Sequence, residues 1–246
     1  MKPVDAHCHV DFRQYDDDRD EIIERAADEL EFIVDAGSSY ENNKEVLELA
    51  ENHRGFIIPN LGIHPTYTDD FDDLDKIKDQ VRKEDPAAVG EIGLDNHHVE
   101  DEDMRERQTE VFREMVELAE ELGKPVVVHS RDAERKAFKI LKEYDLPGVM
   151  LHCFNGRPEL AEEAVEEGML IGVTTQVLYS TRVNNIVQQI PVENMLLETD
   201  SPFLYRGERN EPGNVKESAE KIGEIKDLEV EKVVEATTKN AQRLFL

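Results

Sequence analysis

Two histidines one residue apart, His7 and His9 in Asp5-Ala6-His7-Cys8-His9, are the first residues in the chain whose spacing suggests chemistry. In an extended segment, alternation turns Asp5, His7 and His9 to one face and Cys8 to the other. The two imidazoles then lie about 7 Å apart along the chain and can grip one divalent ion. Asp5 is placed to orient one imidazole, or nearby solvent, from behind. Alone, the pair says little, since two core or surface histidines give the same pattern. It gains weight from Glu91 in Gly90-Glu91-Ile92-Gly93, His129 closing Val126-Val127-Val128-His129, His152 in Met150-Leu151-His152, and Asp200 after Leu197-Glu198-Thr199. A charged group inside an apolar run is costly without a partner. Mixed imidazole and carboxylate donors suit Zn²⁺, Mn²⁺ or Mg²⁺.

The other candidates divide by context. His64, in Leu61-Gly62-Ile63-His64-Pro65, is assigned to phosphate binding, because two ions already have enough donors without it. Arg131, two residues past His129, is balanced between a phosphate contact and a salt bridge at the start of the next helix. His53 reads as a solvated helix end, and His97 and His98 as members of a polar surface loop. Cys8 and Cys153 flank donor histidines. Alternation points their sulfurs away from the metals, as small core residues.

The elements that must position these residues form a regular rhythm. Strand-length apolar runs occur at Val4–Cys8, Glu31–Ala36, Gly55–Ile63, Ala87–Leu94, Pro125–Ser130, Gly148–Phe154, Met169–Thr175 and Met195–Thr199. Amphipathic, charge-rich helices are expected over Asp17–Leu30, Tyr40–Asn52, Asp72–Lys83, Glu102–Leu122, Arg131–Tyr144, Pro158–Glu167, Arg182–Gln189, Val215–Asp227 and Val230–Phe245. The alternation predicts an α/β fold, a single (β/α)₈ TIM-type barrel with room for distortion, spanning residues 1–246 as one domain. An open doubly wound sheet shares the rhythm, but no GxGxxG or P-loop follows any strand. In a parallel barrel the strand C-termini share one rim, so the donors converge on one mouth.

Asp and Glu total 57 against 29 Lys and Arg, a formal charge of −28 over 246 residues. With 39% hydrophobic residues in compact runs, this is not a disordered polyanion. Its acidic residues are spread over nearly every polar stretch, a surface that repels itself and nucleic acid at low salt. That composition suits a cytoplasm at molar salt and predicts a halophilic protein. No run has the length of a membrane span, Met1–Val10 lacks an apolar signal core, and two cysteines give no disulfide framework. A cytoplasmic protein with no membrane partner is therefore expected.

The ordered set Asp5–His9, Gly62–Pro65, Gly90–Asp95, His129–Ala133, His152–Gly156, Glu198–Pro202 and Arg209–Pro212 resembles the TatD family of metal-dependent deoxyribonucleases, within the amidohydrolase-like barrels. The resemblance implies two divalent ions, with His7, His9 and Asp200 at one, His129 and His152 at the other, and Glu91 bridging. It implies hydrolysis of phosphodiesters in DNA, commonly from the 3′ end, with Mg²⁺, Mn²⁺ or Zn²⁺ as cofactor and single strands or 3′ ends as substrate. Asp200 would orient the attacking water and take its proton, with Glu91 as the other catalytic carboxylate. Strand four offers no lysine of the kind that bridges metals in phosphotriesterase-like barrels. Family members often carry an aromatic residue after the aspartate at position 95, where this chain has Asn96-His97. The same donor set fits an amidohydrolase or lactonase acting on a small molecule, and a metal-binding module without turnover is a third reading. The oligomeric state is open.

Overall fold

Runs rich in valine and isoleucine become eight strands in a computed structural model that describes residues 1–246: β1 (Asp5–Cys8), β2 (Ile33–Ala36), β3 (Ile57–Leu61), β4 (Ala88–Asp95), β5 (Val126–Arg131), β6 (Val149–Leu151), β7 (Leu170–Val173) and β8 (Met195–Leu197). They pair in parallel in sequence order, β1 through β8. The helices between them are α1 (Arg19–Glu29), α2 (Tyr40–Asn52), α3 (Leu74–Glu84), α4 (Glu102–Leu122), α5 (Glu134–Leu141), α6 (Pro158–Glu166), α7 (Thr181–Gln189) and α8 (Val215–Lys226), with α9 (Val230–Phe245) last. Sequence signals set their ends. Asp101 accepts a hydrogen bond from the Met104 N–H at the start of α4, and Gly123 closes that helix in the left-handed region.

Apolar residues fill two layers. The larger lies between sheet and helices and includes Val89, Ile92, Val128, Ile171 and Leu197. The smaller lines the barrel interior, with Val4, Ala6, Val34, Ala88, Val127, Met150, Leu170 and Leu196, and takes Ala241, Leu244 and Phe245 from α9. α9 thus plugs the end of the barrel opposite the mouth.

The barrel closes between β8 and β1 through the segment that follows β8. Asp200 N–H donates to the His7 carbonyl at 3.0 Å, and His9 N–H donates to the Ser201 carbonyl at 2.8 Å. Asp5 reinforces this seam by accepting from Thr199 N–H at 2.9 Å and Thr199 Oγ1–H at 2.5 Å. Asp5 therefore clamps backbone rather than orienting an imidazole.

Two strands depart from strict alternation. Asp5 and Cys8 oppose Ile33 and Asp35, so three steps along β1 face two along β2. Val89 and Ile92 likewise oppose Val126 and Val128. Each strand carries one extra residue, a bulge of the kind that re-aims side chains. In β1, Ala6 packs inside while Cys8 and Val10 pack outside, which leaves His7 and His9 for the mouth. In β4, Val89 and Ile92 both pack outside, so Gly90 and Glu91 both face inward. Alternation alone would have grouped Asp5 with His7. The bulge separates them.

Candidate metal centre

Glu91 stands at the middle of the mouth with its carboxylate buried. Its Oε2 lies 3.3 Å from His7 Nε2 and 3.6 Å from His9 Nε2. Its Oε1 lies 3.0 Å from His129 Nδ1, 3.3 Å from His64 Nε2 and 3.7 Å from His152 Nε2. Each oxygen thus addresses its own group of imidazoles. Asp200 Oδ1 approaches both groups, at 3.6 Å from His9 Nε2 and 3.7 Å from His152 Nε2. Donor atoms of His7, His9 and Glu91 lie within 4.8 Å of one another, and so do those of His64, Glu91 and His129.

The surroundings fix the rings. His152 Nδ1 meets Glu198 Oε2 at 2.7 Å, which turns Nε2 to the centre. The other Glu198 oxygen accepts from Cys153 N–H at 2.7 Å. Gly172 leaves room for this carboxylate, since a Cβ there would come 2.4 Å from Glu198 Oε1. His129 Nε2 meets Asp95 Oδ2 at 3.1 Å, and the same oxygen meets His98 Nδ1 at 2.8 Å. His9 Nδ1 faces the Ala36 carbonyl at 2.9 Å. Carboxylates and carbonyls behind imidazoles hold the tautomer that aims a lone pair forward.

The electrostatics fit a cation between these groups. Burial works against the Glu91 anion, yet the charges of His64, His152 and His7 hold its pKa well below the usual carboxylate range. Burial also opposes protonation of His9, but the hydrogen bond to Asp200 and the charges of Glu91 and Asp200 raise it to about 9. His152 is pushed up to about 10 against burial, chiefly by Glu198 and Glu91. Burial and the neighbouring His152 push His7 down. His7 and His9 Nε2 face each other at 3.2 Å, and His7 Nδ1 is buried with no partner. Such converging nitrogens and anionic oxygens are the donor set of a divalent cation site.

All the residues proposed as metal donors from sequence, His7, His9, Glu91, His129, His152 and Asp200, meet here. His64 meets them too, at the same distance from Glu91 as His7, with Nδ1 held by Thr66 Oγ1 at 2.7 Å. Arg131 lies on the wall of a cavity of about 480 Å³ that opens from His129, His152 and Asp200. Its side chain has no carboxylate within 4.0 Å, so the helix-start salt bridge is absent. Cys153 departs from expectation. Strand β6 ends at Leu151 and Cys153 adopts φ 44°, so alternation no longer applies and its sulfur lies with His152 and Asp200 at the cavity. Cys8 points outward and bonds the Val34 carbonyl. His97 is exposed beside Asp132, and His53 caps α2 away from the mouth. Sequence reading passed over Asp95 and Glu198 as orienting groups. Glu198 carries the signal that marks Glu91, a carboxylate inside an apolar run, and Asp95 closes such a run.

Comparison with known proteins identifies the family. The family model described as TatD related DNase matches residues 4–246. A metal-dependent hydrolase of Methanocaldococcus jannaschii is 40% identical over 250 residues, covering 100% of this chain and 97% of the relative. The human Deoxyribonuclease TATDN3 is 36% identical over 258 residues, covering 98% and 94%. The crystal structure of a TatD homolog from Escherichia coli superposes with a TM-score of 0.88 at 30% identity, covering 98% and 97%. The eight-stranded barrel, its mouth of histidines and carboxylates and this match along the whole chain lead to one conclusion: the protein belongs to the TatD family of metal-dependent hydrolases.

Proposed function

We propose that the protein hydrolyses phosphodiester bonds in DNA with two divalent ions, the whole of residues 1–246 acting as one catalytic domain. One observation carries the two-ion reading: the two oxygens of Glu91 face different imidazole groups. His7, His9, Asp200 and Glu91 Oε2 would hold one ion, and Glu91 Oε1, His129 and His152 the other. His64 stands beside the second group, where it can serve that ion or a phosphate oxygen. Two ions held so would supply an acidified water and offset charge on the phosphoryl oxygens. Asp200 is the residue to take the water's proton, since it borders both the buried donors and the cavity. Arg131, free of any carboxylate, can fork onto a phosphate from the cavity wall. The deoxyribonuclease name of the human relative supports DNA as the substrate.

We place the activity in a cytoplasm. The unpaired cysteines suit a reducing compartment, and no helix is long and apolar enough to cross a membrane. Digestion of 3′- and 5′-labelled oligonucleotides with added Mg²⁺, Mn²⁺ or Zn²⁺ tests the reading. Stepwise loss from the 3′ end is expected, abolished by chelator. Ring opening of a lactone without oligonucleotide cleavage would replace this function with the small-molecule one.

A further inference from the structure

Apart from the terminal Met1 and Leu246, the exposed large apolar side chains are Tyr67, Tyr179 and Phe203. All three follow strands, after β3, β7 and β8, and so stand on the mouth rim. Tyr67 and Phe203 line a second cavity of about 430 Å³ with Phe12, on the His9 side of the centre. The rings form a connected set. Phe12 stacks on His9 with centroids 4.5 Å apart and planes within 19°, and Phe203 meets Phe12 edge-on at 6.0 Å. Tyr67 meets His64 edge-on at 6.0 Å. Phe203 is 43% exposed and Tyr67 41%.

The cations show a parallel bias. In a chain with twice as many acids as bases, most arginines have a carboxylate partner, as Arg25, Arg82, Arg113 and Arg135 do. Arg13, Arg131, Arg157, Arg182 and Arg206 have none within 4.0 Å, and each lies between the last residue of a strand, as Arg131 is of β5, and the first turn of the helix that follows it. Elsewhere only Arg105 and Arg243 lack an acid. Arg13 borders the aromatic cavity. Arg131 and Arg182 border the polar cavity on the other side of the metal donors, with Asn155 and Gln176.

We propose that the Phe12–Tyr67–Phe203 cavity is a nucleobase subsite, the place where this chain would read the unpaired end that the family resemblance implies. This rests on the phosphodiesterase reading of the centre. A phosphate at the metal donors has an aromatic cavity on one side and an arginine-bearing polar cavity on the other. The base of one flanking nucleotide stacks on Phe203 and Tyr67, and the backbone continues past Arg131 and Arg182. Stacking needs no net positive field, so it suits a protein of charge −28. Every base has a π-face, so the subsite tolerates any sequence. A base held in a duplex cannot leave its own stack to enter.

The experiment uses the full chain and a short single-stranded oligonucleotide carrying 2-aminopurine at its 3′ end. In chelator, wild-type protein should quench the 2-aminopurine fluorescence on binding, and Phe203→Ala should lose most of that quench. With metal restored, Phe203→Ala should raise KM about tenfold for the normal oligonucleotide. It should have little effect on one whose 3′ nucleotide is abasic, and Arg13→Gln should raise KM for both. Equal wild-type KM for normal and abasic substrates, or an undiminished quench with Phe203→Ala, overturns the subsite. If wild type cleaves no oligonucleotide, the phosphodiesterase reading fails. A quench lost in Phe203→Ala then still supports base binding, and no quench in wild type overturns it.

Discussion

Replacing Glu91 by Gln keeps the shape of a side chain whose oxygens face two imidazole groups and removes the charge that two cations would share. Bound metal and oligonucleotide turnover should fall together, and element analysis beside a rate assay checks this. Full metal content with wild-type turnover would end the bridging role. Asp200→Asn should act differently. Its neighbours still supply most donors, so the variant should fold and take up metal while turnover drops about 10²–10⁴-fold. Glu198 never touches the reacting atoms but sets the direction of His152 Nε2. Glu198→Gln should weaken metal affinity about 10–100-fold, read by competition with a chelating dye. Its melting temperature in excess metal should stay near wild type if the role is orientation of the ring.

At the scale of elements, the strands and helices were legible because each carries its own signal: β-branched runs, an apolar stripe, a capping aspartate or a closing glycine. Five of the metal-donor candidates were legible because they stand at or near strand ends that a parallel barrel gathers on one rim, and Glu91, inside β4, because a charge within an apolar run needs a partner. What was not legible depends on pairing between strands. The extra residues in β1 and β4, which put Ala6 and His7, and Gly90 and Glu91, on the inner side, appear only against β2 and β5. The turn of Cys153 into the left-handed region is likewise invisible in Met150-Leu151-His152-Cys153. Gly93 tests the pairing directly. It has φ 149°, and a Cβ there would meet the His129 carbonyl at 1.9 Å. Gly93→Ala must push β5 outward at His129, at a cost of about 1–3 kcal/mol, and should weaken metal binding as well. Gly123→Ala is the comparison. It also has positive φ, but nothing lies within 4 Å and it stands at the far end of α4. It should lose about 1–2 kcal/mol of stability in a thermal or urea melt with metal affinity intact.

At the scale of the whole molecule, the charge of −28 must be reconciled with a polyanionic substrate. Surface ion pairs such as Arg113–Glu143 and Arg135–Glu163 use up bases, and each is worth little in water. The excess of carboxylates therefore remains as self-repulsion across one compact body, which opposes folding at low ionic strength. Screening relieves it. The Debye length falls from about 10 Å at 0.1 M salt to about 3 Å at 1 M. The same screening lowers the repulsion that DNA meets on approach. Contacts at the mouth are shielded less, because divalent ions would place positive charge there at close range. Ordinary nucleic-acid binders lose affinity steadily as salt rises, since their basic contacts release counterions. This protein should show the opposite order. From 0.1 M to about 2 M KCl its melting temperature should climb, and the rate of oligonucleotide digestion should first rise. Activity should then decline only where salt competes with the few arginine contacts. A flat melting temperature, or activity that falls from the lowest salt in protein still folded, would remove the halophilic reading. It would leave the metal centre untouched, because the distances around Glu91 do not depend on the surface field.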